Sequence, residues 1–304
     1  MRSYRYLHYD VFTDRQFGGN QLAVFLDGRG LPADTMQAIA KEMNFSETTF
    51  VLPADVPGAV ARVRIFTPNE ELPTAGHPTI GTTFALARSG IIDPGRDRIV
   101  LSEGAGPVPV TLTWNGDELG FAWMSQGAPS FGDTLADRDA VASALSISPA
   151  AITGTGRPVQ VVSCGVPFLF VPLTARRAVD NARVDANALE ALLEEAHTSA
   201  HGVFIFSVEP GADRATVYSR MFAPALGVFE DPATGIASGP LGCYLVRHQM
   251  VPPEKAGAIL SLQGAKMGRP SHVHIAIGTS GGEITSVRVG GEAVLAGEGT
   301  LYVN

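Results

Sequence analysis

The sequence has few lysines, few cysteines and no long apolar run. Only three of its 304 residues are lysine (Lys41, Lys255 and Lys266), and its formal net charge is −8. Such an acidic chain lacks the basic surface that neutralises phosphates, so we expect no nucleic-acid partner. No apolar stretch reaches the roughly 18 residues of a transmembrane helix, and the first residues show no apolar signal segment. We therefore expect a cytoplasmic protein with no membrane partner.

Motifs for common cofactors are also absent. The two cysteines, Cys164 and Cys243, provide neither a disulfide framework nor a zinc cluster. No GxGxxG, GxxxxGK[ST] or GxSxG motif occurs, so nucleotide binding and serine-hydrolase chemistry lack support. His272 and His274 could share one face of a strand, but no cysteine or carboxylate cluster near them in the sequence completes a metal site. We expect neither a cofactor nor a metal.

The composition indicates a folded protein of mixed structure. Hydrophobic residues make up 45% and charged residues 17%, which excludes a disordered chain. At about 150 residues per domain, the length suggests two domains. Runs rich in Val, Ile, Phe and Thr predict many strands, whereas helical spacing predicts helices only over 32–43, 78–89, 134–145, 186–196 and 237–248. Because the helices do not alternate regularly with strands, we predict an α+β fold rather than a doubly wound parallel sheet.

The sequence contains an internal repeat. Arg64-Ile-Phe-Thr-Pro68 recurs as Arg220-Met-Phe-Ala-Pro224, 156 residues later. The segment that begins at Gly76 recurs at Gly235, 159 residues later, so the loop of the second copy is three residues longer. Each copy predicts a strand, a proline-containing loop, a glycine and an apolar helix. We interpret this pattern as a duplication, and ligand sites favour the interface between duplicated halves.

The repeated loops are candidates for a binding site. Each ends at the predicted N-terminus of a helix, where free N–H groups and the helix dipole favour an anion. Gly76 and Gly235 would let the backbone approach a ligand closely. The structural alternative is that Thr79 or Ser238 only caps its helix.

Two ionisable residues stand out near the first loop. His77 follows Gly76 at the predicted helix start, where the dipole should lower its pKa and favour a neutral, hydrogen-bond-donating imidazole. Glu47 lies between Phe45 and Phe50 at an apolar strand, where an acid without partners is costly. The alternatives are a structural histidine and a solvent-facing strand residue.

Several ordered motifs together resemble one known family. They are Asp10-Val-Phe-Thr-Asp-Arg-Gln-Phe-Gly-Gly-Asn20, Ser46-Glu-Thr-Thr-Phe50, Glu71-Leu-Pro-Thr-Ala-Gly-His-Pro-Thr79, Glu230-Asp-Pro-Ala-Thr-Gly235 and Gln263-Gly-Ala-Lys-Met-Gly-Arg-Pro270. In this order they resemble the phenazine-biosynthesis PhzF-like isomerase family, which belongs to the diaminopimelate-epimerase fold superfamily. The resemblance extends over nearly the whole chain.

The resemblance implies a fold of two similar lobes. Each lobe is a curved β-sheet or barrel around a central helix, with the active site in the cleft between the lobes. The expected first lobe covers residues 1–120 plus 292–304, and the second covers 125–290. The central helices would begin near Pro78 and Ala237, and a homodimer is possible for members of the family.

The resemblance also implies a cofactor-independent proton shift on a small, anionic, cyclic or enolisable substrate. The best-known family activity is the isomerisation of trans-2,3-dihydro-3-hydroxyanthranilate. The residues carried over are Glu47 as acid/base, His77 and Asp231 as further catalytic residues, and Gly76, Gly235 and Ser238 as substrate-binding residues.

Two departures from the patterns of the family and its superfamily bear on the function. Superfamily racemases carry one cysteine at each helix start, and segments 74–77 and 231–235 contain none, which argues against a two-thiol racemase. The family commonly has serine where Ile236 stands, and an aliphatic side chain cannot donate the hydrogen bond expected there. The alternatives are a non-catalytic ligand-binding or regulatory protein that keeps the fold, and a racemase using Glu47 and Asp231.

Overall fold

The computed structural model describes residues 1–196 and 198–303. The chain divides into two compact units, which we call the first unit (Met1–Ser125 with Gly290–Asn304) and the second unit (Gln126–Val289). No helix among the described residues is long and apolar enough to cross a membrane.

Strands dominate both units. The strands are β1 (Arg2–Val11), β2 (Asn20–Phe25), β3 (Glu47–Leu52), β4 (Ala61–Phe66), β5 (Glu71–Leu72), β6 (Arg98–Glu103), β7 (Gly106–Asn115), β8 (Glu118–Gln126), β9 (Ser130–Leu135), β10 (Val159–Ser163), β11 (Pro167–Pro172), β12 (Val203–Ser207), β13 (Val217–Ala223), β14 (Val228–Asp231), β15 (Ile259–Gln263), β16 (Ser271–Ser280), β17 (Glu283–Gly291) and β18 (Ala293–Val303). The helices are α1 (Ala33–Met43), α2 (Gly76–Arg88), α3 (Arg138–Ala144), α4 (Pro149–Thr153), α5 (Arg176–Asn181), α6 (Ala186–Glu195) and α7 (Gly235–Arg247).

The two units share one order of strand pairing. In the first unit, β18, β1 and β2 pair antiparallel, β2 and β3 pair parallel, β3 and β4 antiparallel, β4 and β6 parallel, and β6 and β7 antiparallel. In the second unit, β9, β10, β11, β12, β13, β15 and β16 follow the same order of parallel and antiparallel pairs. The short strands β5 and β14 pair antiparallel with β4 and β13. The repeat seen in the sequence is therefore also a repeat in topology.

One buried helix occupies the same place in the chain order of each unit. Helix α2 follows β5 and packs on β1, β2, β3 and β18, whereas α7 follows β14 and packs on β10, β11 and β16. Both have 13 residues. Residues 76–86 of α2 are buried, and so are residues 235–245 of α7 except Ile236. A helix that is apolar on all sides belongs in a core. Close packing explains Gly81, because a Cβ there would lie 2.6 Å from the Leu22 side chain.

The repeated Arg-Xaa-Phe motif forms the same ion pair in both units. Arg64 on β4 donates two hydrogen bonds to Glu71 on β5, at 2.7 and 2.6 Å. Arg220 on β13 donates two to Glu230 on β14, both at 2.8 Å. Each guanidinium also lies over the phenylalanine ring two residues later, Phe66 or Phe222. The motif therefore ties each short strand to its neighbour just before the loop that enters the buried helix.

One predicted helix was partly wrong. The sequence predicted a helix over 134–145, but Thr134 and Leu135 end β9, and α3 begins only at Arg138. The reason is a local cap, since the Asp137 side chain accepts a hydrogen bond from the Ala140 N–H at 2.9 Å. Such an Asp cap marks a helix start.

Candidate active site

In the first unit, Glu47 is the first residue of β3, and its side chain is only 14% exposed. Two residues earlier, the ring of Phe45 packs in a tilted arrangement against that of His8, with 4.7 Å between the ring centroids. Phe50, further along β3, is fully buried. Glu47 is therefore not the solvent-facing strand residue that the sequence left as an alternative.

His77 meets Glu47 at the start of α2. Its side chain is 3% exposed, and its Nδ1 lies 3.3 Å from Oε2 of Glu47. The same Nδ1 lies 3.2 Å from the side-chain Nδ2 of Asn20, the first residue of β2. A proton on Nδ1 lets His77 donate to Glu47, whereas an unprotonated Nδ1 accepts from Asn20. Side chains from β2 and β3 thus both reach one nitrogen of the imidazole that α2 carries.

The imidazole is neutral at neutral pH. Burial lowers the pKa of His77 from 6.5 to about 3, against a smaller, opposite effect of a hydrogen bond with the backbone of Gln21. The sequence predicted a neutral histidine from its place at a helix start, and burial is the leading cause. The contact with Glu47 therefore involves a neutral ring, which can act as a hydrogen-bond donor.

A second acidic side chain contacts both the loop before α2 and the first turn of that helix. Gly76 is the buried first residue of the helix, and the preceding Ala75 provides no side-chain cap. Glu103, the buried last residue of β6, accepts hydrogen bonds from Thr74 at 2.7 Å and from Thr79 at 2.5 Å. Burial raises the pKa of Glu103 from 4.5 to about 7, although these hydrogen bonds lower it in part.

In the second unit, Asp231 ends β14 and is buried. Its Oδ2 accepts a hydrogen bond from the Thr234 hydroxyl at 2.5 Å. Gln263, the buried last residue of β15, donates to the backbone carbonyl of Asp231 at 2.7 Å and accepts from the Thr234 N–H at 3.1 Å. Gly235 then begins α7, and its carbonyl accepts from Gln126 at 3.0 Å.

The two helix entries use their first-turn hydroxyls in the same way. The Thr79 hydroxyl also lies 2.5 Å from the carbonyl oxygen of Ala75, to which it donates when its one proton is not given to Glu103, and Ser238 donates to the carbonyl of Thr234 at 2.9 Å. Neither residue is the N-cap of its helix, and the residues that are, Ala75 and Thr234, make no side-chain cap bond. The capping alternative is therefore wrong for both, while the substrate-binding role of Ser238 stays a prediction. Ile236, the second residue of α7, packs partly against the core of its unit.

The cysteines lie away from both helix entries. The Cys164 and Cys243 sulfurs are 3.9 Å apart and buried. The hydrogen bond between them and burial raise the pKa of the Cys243 thiol. Among the described residues, no group of three or more His, Cys, Asp or Glu side chains is placed to hold a metal ion.

Within each unit the structure groups residues that the sequence analysis had assigned to the site, and it adds three to which that analysis gave no role. Glu47 and His77 meet in the first unit, and Asp231, Gly235 and Ser238 lie around one helix entry in the second. Asn20, Glu103 and Gln263 join these groups, although the sequence analysis gave them no function. Extending the repeat alignment past each helix, with one additional residue in the second copy, would have paired Glu103 with Gln263, because each ends the next strand.

The comparisons with known proteins identify the family. The model of the family described as phenazine biosynthesis-like protein matches residues 9–299. The chain belongs to this family. It is 36% identical to the trans-2,3-dihydro-3-hydroxyanthranilate isomerase of Pseudomonas aeruginosa, covering 99% of this chain and 100% of that protein. It is also 36% identical to an uncharacterized isomerase of Mesorhizobium japonicum over the full length of both chains.

A solved structure agrees with the fold of the chain. The crystal structure of a PhzF-family phenazine biosynthesis protein from Bacillus anthracis superposes with a TM-score of 0.88 at 25% identity and covers 100% of both chains. The family resemblance and the α+β, epimerase-like fold class are therefore confirmed. The prediction of an isomerase is confirmed at the level of the family, because these relatives are named isomerases.

Proposed function

We propose that this protein is a cofactor-independent isomerase that shifts a proton on a small, anionic, cyclic or enolisable substrate. The observation that carries the proposal is the 3.3 Å contact between Glu47 and His77 in a mostly buried site. A carboxylate in this setting can take a proton from one substrate carbon and return it to another, which is general acid–base catalysis. The C–H electron pair stays on the substrate as an enolate-like anion until the second C–H bond forms.

The anion needs stabilisation while Glu47 holds the proton. His77 is neutral and can donate a hydrogen bond without competing with Glu47 for the proton. The backbone N–H groups at the starts of α2 and α7 carry no side-chain cap, and helix N-termini favour negative charge. We assign Gly76 and Gly235 to these contacts, with Asp231 as a second ionisable residue in the reaction.

Ile236 argues for a substrate other than that of the characterised relatives. The relative from Pseudomonas aeruginosa is named for trans-2,3-dihydro-3-hydroxyanthranilate. At the second position of α7 this chain has an aliphatic side chain that packs partly on the core, and such a group cannot donate a hydrogen bond to a substrate. We therefore propose the reaction class for this protein and a substrate with no polar group facing Ile236.

The test is proton exchange in deuterated water. The purified protein is incubated with a panel of small enolisable acids that includes trans-2,3-dihydro-3-hydroxyanthranilate, and deuterium uptake is followed by NMR and mass spectrometry. We expect uptake into at least one compound with wild type and none above background with Glu47→Gln. If Glu47→Gln keeps the uptake while Asp231→Asn abolishes it, then Asp231 is the base.

A second candidate is a non-catalytic ligand-binding or regulatory protein, which Ile236 favours. Calorimetric binding with the same panel separates the two functions. A compound that binds tightly without any exchange of its protons would support the binding protein. Deuterium uptake that depends equally on Glu47 and Asp231, with inversion of a stereocentre, would instead support a racemase.

A further inference from the structure

The loop that enters α2 is held by one buried carboxylate from the strand that follows the helix. Oε2 of Glu103 accepts from the Thr74 hydroxyl at 2.7 Å, and Oε1 accepts from the Thr79 hydroxyl at 2.5 Å. A further hydrogen bond joins Glu103 to the backbone of Ala75. These three partners lie on both sides of Gly76 and His77. Glu103 therefore clamps both ends of the segment that carries the proposed substrate-binding backbone and the partner of Glu47.

The turn after Glu103 holds the same loop at a second point. The Ala105 N–H donates to the carbonyl of Pro73 at 2.7 Å. Gly104 packs so closely there that a Cβ would lie 3.0 Å from Cα of Pro73. The loop is thus fixed from Pro73 to Thr79 by residues 103–105, which lie 24 to 32 positions later in the chain.

The second unit contains the same arrangement with an amide in place of the acid. Gln263 ends the strand that follows α7, accepts from the Thr234 N–H at 3.1 Å, and donates to the Thr234 hydroxyl at 3.0 Å and to the Asp231 carbonyl at 2.7 Å. The next residue, Gly264, packs on Pro232, whose oxygen would lie 2.5 Å from an added Cβ. Two loops of different sequence are therefore held from equivalent strand ends.

We infer that Glu103 is a positioning residue for the proposed reaction: by clamping Thr74 and Thr79 it sets the backbone of Gly76 and holds the ring of His77 beside Glu47. This inference rests on the proposed function. Glu103 acts through the loop and not on the substrate. Misplacement of a catalytic group by about 1 Å can cost 100-fold in rate, so a clamp that acts only through geometry still controls turnover.

Gln263 shows which substitution should preserve the clamp. In Glu103→Gln, the amide oxygen can accept from Thr74. The amide nitrogen can donate to the Thr79 oxygen when the Thr79 proton, which Glu103 accepts in the wild type, turns to the Ala75 carbonyl. Glu103→Ala removes every side-chain bond of the clamp. Thr74→Val removes one hydroxyl donor with little change of shape. This variant tests the clamp if Glu103→Ala does not fold. Thr113→Val, at an exposed position of the same unit, is the matched control.

The experiment combines kinetics with backbone hydrogen exchange. We expect Glu103→Ala to lower kcat about 10- to 100-fold and to speed amide exchange at residues 75–79, with Thr74→Val changing both in the same direction by less. Glu103→Gln should stay within about threefold of wild type in kcat and match its exchange rates, as Thr113→Val should. A purely structural role would lower the thermal stability of Glu103→Ala and leave its kcat unchanged.

The two readouts separate the possible failures. Exchange at 75–79 that is unchanged in both Glu103→Ala and Thr74→Val would overturn the clamp, whatever happens to activity. Faster exchange with unchanged kcat would show that the clamp does not position catalytic groups, which also overturns the inference. The exchange measurement needs no substrate, whereas the deuterium-uptake test of Glu47→Gln judges the proposed function by itself.

Discussion

Oε2 of Glu47 lies 3.3 Å from Nδ1 of His77, and burial keeps that imidazole neutral at neutral pH. A protonated histidine at this distance would neutralise the carboxylate and weaken it as a base. A neutral ring at this distance forms no ion pair with Glu47. In the proposed reaction, the pair combines a carboxylate base with a donor for the developing anion.

Glu47→Gln should remove proton transfer while leaving substrate binding intact. Glutamine keeps the shape of the side chain but cannot shuttle a proton, so we expect turnover to fall about 10²–10⁴-fold. Binding of a confirmed substrate, measured by calorimetry, should change little. Glu42→Gln, on the exposed face of α1, is the matched control and should keep full turnover. Equal turnover in Glu47→Gln and Glu42→Gln would contradict the assignment.

His77 should stay unprotonated well into the acid range. Because its pKa is lowered to about 3 by burial, the ring signals that disappear in His77→Gln should not shift between about pH 8 and pH 5. This lowered pKa makes the stability of the fold depend on pH, because the unfolded chain binds the proton near pH 6.5 and the folded chain does not. His77 therefore favours folding above about pH 6.5 and lowers stability as pH falls toward 3. A ring titration midpoint near 6.5 would disprove this.

Glu103 should make stability depend on pH in the opposite direction. Its folded pKa of about 7 lies above the ordinary value of 4.5, so the folded chain holds a proton that the unfolded chain has lost between these values. The stabilisation of the folded state by this proton is fully present below about pH 4.5 and is lost as pH rises through 7. Relative to Glu103→Gln, the free energy of unfolding of wild type should fall by up to about 3 kcal/mol across this range. Urea unfolding at several pH values measures it, and a constant difference would contradict the raised pKa.

The two repeated ion pairs should contribute unequally to stability. Arg220 and Glu230 are 9% and 13% exposed, whereas Arg64 and Glu71 are 18% and 41% exposed. Glu230→Gln leaves a buried guanidinium without its carboxylate, which typically costs about 3 kcal/mol or more. Glu71→Gln should cost about 1 kcal/mol or less, because solvent screens the exposed pair. Urea unfolding compares the two variants, and equal losses would show that burial does not decide the difference.

The two cysteines should be inert in the folded protein. Cys164 and Cys243 are buried, and the pKa of Cys243 is raised, whereas thiol reagents attack the thiolate. We expect labelling by a chromogenic disulfide reagent to be slow in native buffer and complete for both thiols in denaturant. Rapid labelling of the native protein would mean that this part of the core opens readily.

Local sequence signals determined much of the fold. Apolar spacing predicted the buried helices near their observed positions, and the final strand expected near 292–304 is β18. The Arg-Xaa-Phe repeat predicted the duplication that appears as a shared order of strand pairing. These features depend on residues close in sequence, or on motifs that occur twice. The helix predicted over 134–145 was wrong at its start because the Asp137 cap outweighed the apolar spacing.

Only the tertiary structure decided which groups around the site are buried and which long-range hydrogen bonds hold its residues in place. The contacts of Glu103 with Thr74 and Thr79 span 29 and 24 positions, and that of His77 with Asn20 spans 57. A pKa depends on which atoms exclude water from a group, and packing across the sheet determines those atoms. For that reason the sequence predicted Glu47 and a neutral His77 as candidates, whereas their contact, the burial that lowers the pKa of His77 and the clamp at Glu103 required the folded chain.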